Sequence, residues 1–544
     1  MNDFTGVDAF GNAEMLAAAA LGRIETVSGG GADTRLDPAM LQLIAQDSDA
    51  AVAMAGEIGS MLRMTAGGRC VVASVHSLGH EGNEISAQIA FLGEGTLDGA
   101  GSIISFRRGV TRYPLPGTPV HAVSSSDMNA IFSAGSIPHV EIGTVHPTCS
   151  TRAALLIDAM LGKHFALLGS TGTGKSTATA LILHRICQLA PAGHIVMIDP
   201  HGEYDAAFAE VGASYDVTNL AMPYWLMNFE EHCEVLLTTT GAERQTDADI
   251  LAKCLLVARQ KNRAAETVAR ITVDSPIPYV LSDLCNIIQT EMGKLDKASN
   301  SAPYLRLKQK IDEIRSDPRY HFMFSGMLVG DSMKSFIKRI FRLPGDGKPI
   351  SVIDVSGVPS EITSVVVAVL ARCVFDYAIW ARGQAQHPVL LVCEEAHRYV
   401  PSDRSTNNGP VRKILERIAK EGRKYGVSLG LVTQRPSDLA EGVLSQCGTI
   451  IAMRLNNERD QAFVKAAMPE GARSFLDAIP ALRNREAIIC GEGVSIPFRV
   501  AFDDLEEGLR PASNDPVFSE LWRHSGDEDA IVEHVIHRWR NQGR

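Results

Sequence analysis

Residues Gly169-Ser-Thr-Gly-Thr-Gly-Lys-Ser176 fit the pattern G-x-x-x-x-G-K-[ST] and stand between an apolar run, Phe165 to Leu168, and a stretch of helical period from Thr177 to Leu189. A strand, a glycine-rich loop and a helix in that order make a phosphate cradle. The glycines let backbone N–H groups turn toward a polyphosphate, the helix N-terminus favours negative charge, and the lysine reaches the terminal phosphates. The expected nucleotide contacts are Gly169, Thr171, Gly172, Thr173, Gly174, Lys175, Ser176 and Thr177, with Ser176 also a ligand of Mg²⁺. This one motif commits the chain to an α/β core.

The rest of the core follows from apolar runs alternating with helical ones. His194–Ile198, Ile350–Val355, Pro388–Cys393, Val427–Thr433 and Gly448–Met453 are nearly continuous apolar strands. Strands of that kind are buried on both faces, as in a doubly wound parallel sheet. From about Phe229 to Phe341 the period is helical and no such strand occurs, which reads as an inserted helical subdomain. Upstream, Arg23–Val27, Arg69–Ser74, Glu84–Phe91 and Gly101–Phe106 read as short strands of a small β-barrel. Turns are expected at Ser28–Ala32 and Gly93–Leu97, and a corner at Pro114–Pro119. The expected organisation is therefore a barrel and connector over 1–150, a first core part over 151–228, the helical insertion over 229–341, a second core part over 342–510, and a C-terminal helical arm over 511–544.

Composition narrows the class. No segment approaches the roughly 18 uncharged apolar residues of a membrane span, since Arg372 and Asp376 interrupt the longest candidate. The N-terminal apolar stretch Met15–Leu21 has no basic region before it and reads as a helix, so the expectation is a cytoplasmic protein without a membrane partner. Ten scattered cysteines without a C-x-x-C pair argue against both zinc and a disulfide framework. A formal net charge of −11 argues against a surface coated in nucleic acid but leaves room for a local basic channel.

Two acids, Glu394 and Glu395, follow the strand Val389–Cys393, at the carboxyl end where ligands of parallel sheets bind. Glu394 is assigned to Mg²⁺ through water and Glu395 to polarising the attacking water. A glutamate in the first position leaves that split of roles open, and acids in a helix's first turn are the plainer alternative. Gln434 ends the next strand and is the expected γ-phosphate sensor, with a strand cap before Pro436 as its alternative. Arg423 follows a helix stopped by Gly422. It is the candidate finger for a neighbour's γ-phosphate, with Lys424 and Arg417 as alternates and a dipole-stabilised surface cation as the structural default. Asp199, His201, Glu203 and Tyr204 mark a motif on the nucleotide side without a clear role for each. The loop 401–410 with Arg404, and Arg412 and Lys413 after it, is the candidate for DNA phosphate contact.

Taken together, Leu168–Thr177, Asp199-Pro-His-Gly-Glu-Tyr204, Pro223-Tyr-Trp-Leu-Met-Asn228, Glu394-Glu-Ala-His397, Glu421-Gly-Arg-Lys-Tyr-Gly426 and Thr433-Gln-Arg-Pro-Ser437 resemble the HerA family of the HerA–FtsK superfamily. The resemblance spans about residues 20 to 510. It implies an N-terminal β-barrel, a RecA-like P-loop core with an inserted helical bundle, and a C-terminal arm that braces a neighbour. It also implies an ATP- and Mg²⁺-dependent hexameric ring that moves double-stranded DNA, and an effector partner that is a nuclease or a sirtuin-type NAD-consuming enzyme. The alternative from another class is a ring that binds ATP mainly to assemble and license a partner. A small-molecule kinase is disfavoured because paired strand-end acids with an adjacent sensor suit water activation.

Overall fold

The computed structural model describes residues 19–148, 150–294, 301–325, 328, 330–384, 387–403, 409–468, 472–512, 518–523 and 528–540. The N-terminal stretch up to residue 18, the segment containing Arg404, and Asp515 to Val517 lie outside them.

Seven antiparallel strands come first: β1 (Ala20–Val27), β2 (Gly31–Leu36), β3 (Met61–Ala66), β4 (Arg69–Glu81), β5 (Glu84–Leu97), β6 (Ile103–Arg108) and β7 (Pro119–Ala122). They run in the order β2-β1-β7-β3-β4-β5-β6, and β2 also pairs with β5, which closes six of them into a barrel with β6 appended. Leu21 is part of β1, not of a helix. Gly93–Leu97 is not a turn: β5 continues through it, because β6 lies so close that a Cβ at Gly93 would sit 2.2 Å from the Arg107 carbonyl oxygen. Along β4, Val71 and Ala73 face the barrel interior with Leu21, Leu36 and Ile89, while Cys70 and Val72 belong to the large core beneath the second sheet. A strand buried on both faces reads as an unbroken apolar run for that reason.

The second sheet has eleven strands: β8 (His139–Val145), β9 (Arg152–Leu156), β10 (Phe165–Leu168), β11 (Ile195–Asp199), β12 (Gly212–Tyr215), β13 (Ile350–Asp354), β14 (Val389–Cys393), β15 (Val427–Thr433), β16 (Thr449–Met453), β17 (Glu486–Gly491) and β18 (Phe498–Phe502). Their order is β12-β13-β11-β14-β15-β10-β16-β17-β18-β8-β9. The pairs from β12 to β16 are parallel and those from β16 to β9 antiparallel. The stretch expected to be a connector thus supplies β8, a possible strand at His139–Ile142 in the sequence, together with α1 (Ser125–Phe132), and β9 follows just after it. Helix α2 (Lys175–Leu189) follows the glycine-rich loop. Between β12 and β13 come α3 (Phe229–Leu236), α4 (Gly241–Gln260), α5 (Leu281–Met292), α6 (Ala302–Ser316) and α7 (Met333–Ile340). Helix α8 (Ser360–Trp380) is the one described helix long and apolar enough to cross a membrane, and most of it is buried in the fold. Then follow α9 (Gly409–Glu421), α10 (Glu458–Ala467) and α11 (Glu528–Arg540). On α11 the apolar residues Ile531, Val532, Val535 and Trp539 are exposed. The nine described cysteines are all buried and free.

The segment Pro223–Asn228 fastens the inserted helices to the core. Its Leu226 carbonyl accepts from Arg372 of α8 at 2.6 Å, its Met227 carbonyl from the buried Arg259 of α4 at 2.9 Å, and its Asn228 carbonyl faces His232 Nδ1 of α3 at 2.7 Å. Arg372 also grips Glu231 at 2.8 Å, and His232 Nε2 meets the Tyr279 hydroxyl at 2.8 Å. Burial, with the charges of Arg259 and Arg372 in the same direction, depresses the His232 pKa to about 3. Between pH 6.5 and 3 the unfolded chain therefore binds a proton at this position that the folded one refuses. Stability present above pH 6.5 is lost as pH falls, by about 1.4 kcal/mol per pH unit from this residue. Urea unfolding of a His232→Gln variant across that range is expected to show a shallower acid decline than the wild type.

Candidate functional site

Strand β10 ends at Leu168 and the chain turns through Gly172 (φ 77°) and Gly174 (φ 96°) into α2. Both angles fall in the left-handed region that side chains resist. Gly174 is doubly required, since a Cβ there would lie 3.1 Å from Cγ of Arg485. Arg485 is itself left-handed (φ 63°). Its N–H donates to the Thr173 carbonyl at 2.9 Å and its guanidinium pairs with Asp504, so the loop is braced from outside. Inside it, Thr173 Oγ1 donates to the Ser170 carbonyl at 2.8 Å and Lys175 Nζ to the same carbonyl at 3.1 Å. Lys175 is buried, and burial lowers its pKa against the pull of Glu395, Glu394 and Glu203.

Glu394 and Glu395 follow β14, which lies two strands from β10 with β15 between them. They share with Lys175, Ser176, Thr177 and Gln434 a cavity of about 470 Å³ at the carboxyl ends of these strands. Glu395 takes left-handed angles (φ 50°, ψ 47°), a strained conformation for a side-chain-bearing residue and one typical of functional sites. It therefore does not open an ordinary helical first turn, the plainer alternative for these acids. The two carboxylates are electrostatically split. Burial and the Glu395 charge push Glu394 up to about 8, with Lys175 and the Tyr204 hydroxyl only partly offsetting them. Burial also opposes ionisation of Glu395. It is outweighed there by His397, Lys175 and the Gln434 backbone N–H, so its pKa falls below the usual carboxylate range. His397 Nδ1 lies 3.2 Å from Glu395 Oε2, but its aligned hydrogen-bond partner is Thr433 Oγ1 at 2.9 Å. The contact with Glu395 is thus a close approach and not an aligned hydrogen bond.

The motif after β11, to which the sequence alone gives no separate roles, supports this pair. The Asp199 carboxylate accepts from the N–H groups of His201 (3.0 Å), Gly202 (2.9 Å) and Tyr204 (3.0 Å), which folds the segment back on itself. The buried Tyr204 hydroxyl then donates to Glu394 Oε2 at 3.2 Å, and Ser176 Oγ donates to Glu203 Oε2 at 3.3 Å. His201 lines the cavity mouth, as does Pro511, whose segment is pinned where the Ala512 N–H meets the Glu203 carbonyl at 2.8 Å. Among the described residues no cluster of three or more His, Cys, Asp or Glu forms a metal cage. Ser176, Glu203 and Glu394 instead make the sparse oxygen set that suits Mg²⁺, which completes its shell with water and phosphate.

Gln434 is in the site, its Oε1 accepting from the Thr171 hydroxyl. Arg423 is not. It lies in the turn just before β15 and lines a cavity at the opposite, amino-terminal edge of the sheet, with Pro388 and Gly426. Arg423 and Lys424 are exposed, and neither side chain has an ion-pair or hydrogen-bond partner among the described residues. Arg417, by contrast, is engaged locally, 4.9 Å over the Phe375 ring and 3.6 Å from Glu421. Of the candidate DNA contacts, Arg412 pairs with Glu416 (2.9 Å) and the Pro401 carbonyl (2.8 Å), and Lys413 with Glu230.

Residues 140–374 match the family described as the helicase HerA central domain. A DNA double-strand break repair helicase HerA from Pyrococcus furiosus is 26% identical over 402 residues, covering 68% of this chain and 70% of that protein. Another from Sulfolobus acidocaldarius is 28% identical over 442 residues, covering 78% and 80%. Among solved structures, that of VirB4 from Thermoanaerobacter pseudethanolicus aligns with 70% of this chain and 100% of that one, at 15% identity and a TM-score of 0.49. With its phosphate loop, acid pair and Gln434 at one edge of a parallel sheet, the chain is a P-loop ATPase whose residues 140–374 match the HerA central domain.

Proposed function

We propose that the protein assembles into a ring, taken to be a hexamer, that hydrolyses ATP to translocate double-stranded DNA. The observation that carries this reading is the acid pair Glu394 and Glu395, which shares one cavity at the carboxyl ends of the parallel strands with the P-loop Lys175 and Ser176 and with Gln434. Glu395 accepts a proton from the attacking water, Gln434 orients that water or the γ-phosphate, and Lys175 with the loop N–H groups holds the phosphates. Mg²⁺, held by Ser176 and by Glu394 through water, would supply positive charge to the β- and γ-phosphates. Tyr204 positions Glu394. The DNA part of the reading is supported by relatives named as DNA repair helicases. Its finest part, an effector of nuclease or sirtuin type in DNA-end processing or phage defence, rests on the family resemblance.

Lys175→Ala is expected to abolish nucleotide binding. Glu395→Gln is expected to keep ATP affinity and lower turnover at least about 100-fold, because only the lytic water loses its partner. Tyr204→Phe removes one hydrogen bond to a carboxylate, roughly 1.5 kcal/mol, and is expected to slow turnover about tenfold with ATP affinity unchanged. Equilibrium binding and steady-state hydrolysis separate these effects.

Duplex DNA separates translocase from scaffold: it accelerates hydrolysis in the first case and leaves the rate unchanged in the second.

Arg423 is proposed to complete the neighbour's site, since it lies on the sheet edge away from its own. A finger acting in trans is worth about 10³–10⁵ in rate. Arg423→Ala and Lys175→Ala subunits, each inactive alone, are expected to recover part of the activity when co-assembled. Recovery with Lys424→Ala in place of Arg423→Ala would move the finger to Lys424.

A further inference from the structure

Gln434 is placed in the site from two sides. Strands β10 and β15 run parallel with Leu168 beside Thr433, and the Gly169 N–H meets the Thr433 carbonyl at 3.3 Å. The two chains therefore leave the sheet side by side, which sets the first turn of the phosphate loop against the residues just after β15. The backbone N–H of Gln434 faces the Glu395 carboxylate and helps to lower its pKa. The side-chain Oε1 accepts from the Thr171 hydroxyl, on the loop. One residue thus links the acid after β14 to the loop after β10.

The loop's other hydroxyls are engaged elsewhere. Thr173 donates to the Ser170 carbonyl, Ser176 to Glu203, and Ser170 Oγ accepts from the Asn456 N–H at 3.1 Å. Thr171 is exposed, and Gln434 is the one partner of its hydroxyl among the described residues. That contact decides what the carboxamide can offer. A glutamine amide presents one acceptor oxygen and two N–H donors. With Oε1 engaged, the group left for a ligand is Nε2, which has no partner among the described residues. Thr171 and Gln434 both line the nucleotide cavity. The γ-phosphate oxygens only accept hydrogen bonds, so a free N–H matches them. The lytic water gives its proton to a base and keeps a lone pair for phosphorus, which an acceptor would suit better.

We propose that Thr171 is a positioning residue whose hydroxyl holds the Gln434 amide with its nitrogen toward the γ-phosphate, so that Gln434 contacts that phosphate and not the water. The inference deepens the hydrolytic reading above and rests on Gln434 acting there. Without the hydroxyl the amide turns about a broad torsion, and the donor faces the phosphate only part of the time. The backbone N–H of Thr171 stays available to the nucleotide in either case.

The test uses Thr171→Val, which keeps the shape and loses the hydroxyl, Thr171→Ser, which keeps it, Gln434→Ala, and the double variant Thr171→Val/Gln434→Ala, all in the full-length chain and checked for folding by circular dichroism. Steady-state ATP hydrolysis is read beside calorimetric affinities for ADP and for a non-hydrolysable β,γ-imido analogue of ATP, both with Mg²⁺. Thr171→Val is expected to lower kcat about tenfold and the preference for the analogue over ADP by a similar factor, with ADP affinity unchanged. Thr171→Ser restores both to within about twofold of the wild type. Gln434→Ala loses at least as much, and adding Thr171→Val to it costs nothing further, because the two act through one bond. A wild-type kcat in Thr171→Val, a Thr171→Ser chain as impaired as Thr171→Val, or a full second loss in the double variant overturns the positioning role and leaves Gln434 in place. A Gln434→Ala chain that loses turnover but keeps its preference for the analogue assigns Gln434 to the water and overturns the proposal. Wild-type turnover in Gln434→Ala removes Gln434, and Thr171 with it, from the reaction, while Glu395→Gln still tests the hydrolytic site.

Discussion

Two adjacent carboxylates buried beside a single lysine disfavour each other's charge, and the nucleotide site of this protein is organised around that constraint. One of them is forced toward neutrality by burial and by its neighbour. The arrangement persists because each acid has its own support. Glu394 is held by Tyr204 from the β11 side, and Glu395 is turned through left-handed angles toward His397 and Gln434 from the β15 side. Asp199, beyond reach of substrate, matters as much as either, because three N–H bonds to its carboxylate place Tyr204. Burial nevertheless pushes its own pKa upward against those bonds and with the help of Asp354.

A parallel sheet has unlike edges, and this one divides the labour between them. The carboxyl edge gathers the phosphate loop, the acid pair and Gln434, while the amino edge carries exposed cations, Asp158, Asp331 and apolar surface. No single chain brings the two together, since they are separated by the length of the strands. The separation gives an isolated subunit a nucleotide pocket with Arg423 out of reach.

The motif-bearing strands and the acid pair were legible because each is local: a continuous apolar run followed at once by the residues that do chemistry. The strands that escaped notice lack that signature. β12 is Gly-Ala-Ser-Tyr at the sheet's edge, β7 is four residues long, and β9, β17 and β18 belong to an antiparallel extension that no motif announces. Glycines misled at Gly93 and Gly95, where they mark close approach of a neighbouring strand and not a turn. The pairing of Lys413 with Glu230 was not legible, because it depends on which helices meet. The support given by Tyr204 and Arg485 was hidden for the same reason: Tyr204 and Glu394 are 190 residues apart.

The barrel's outer face is not a free surface. Met61, Cys70, Val72 and Leu92 are counted into the same apolar core as the ATPase sheet, and Arg108 reaches across to the Gly491 carbonyl at 3.3 Å. Side-chain packing of that kind couples the two bodies, so a displacement of β16 and β17 is felt in the barrel. Cargo held on the barrel would travel with the motor, as a tool bolted to a shaft does, and would report every stroke of the subunit beneath it.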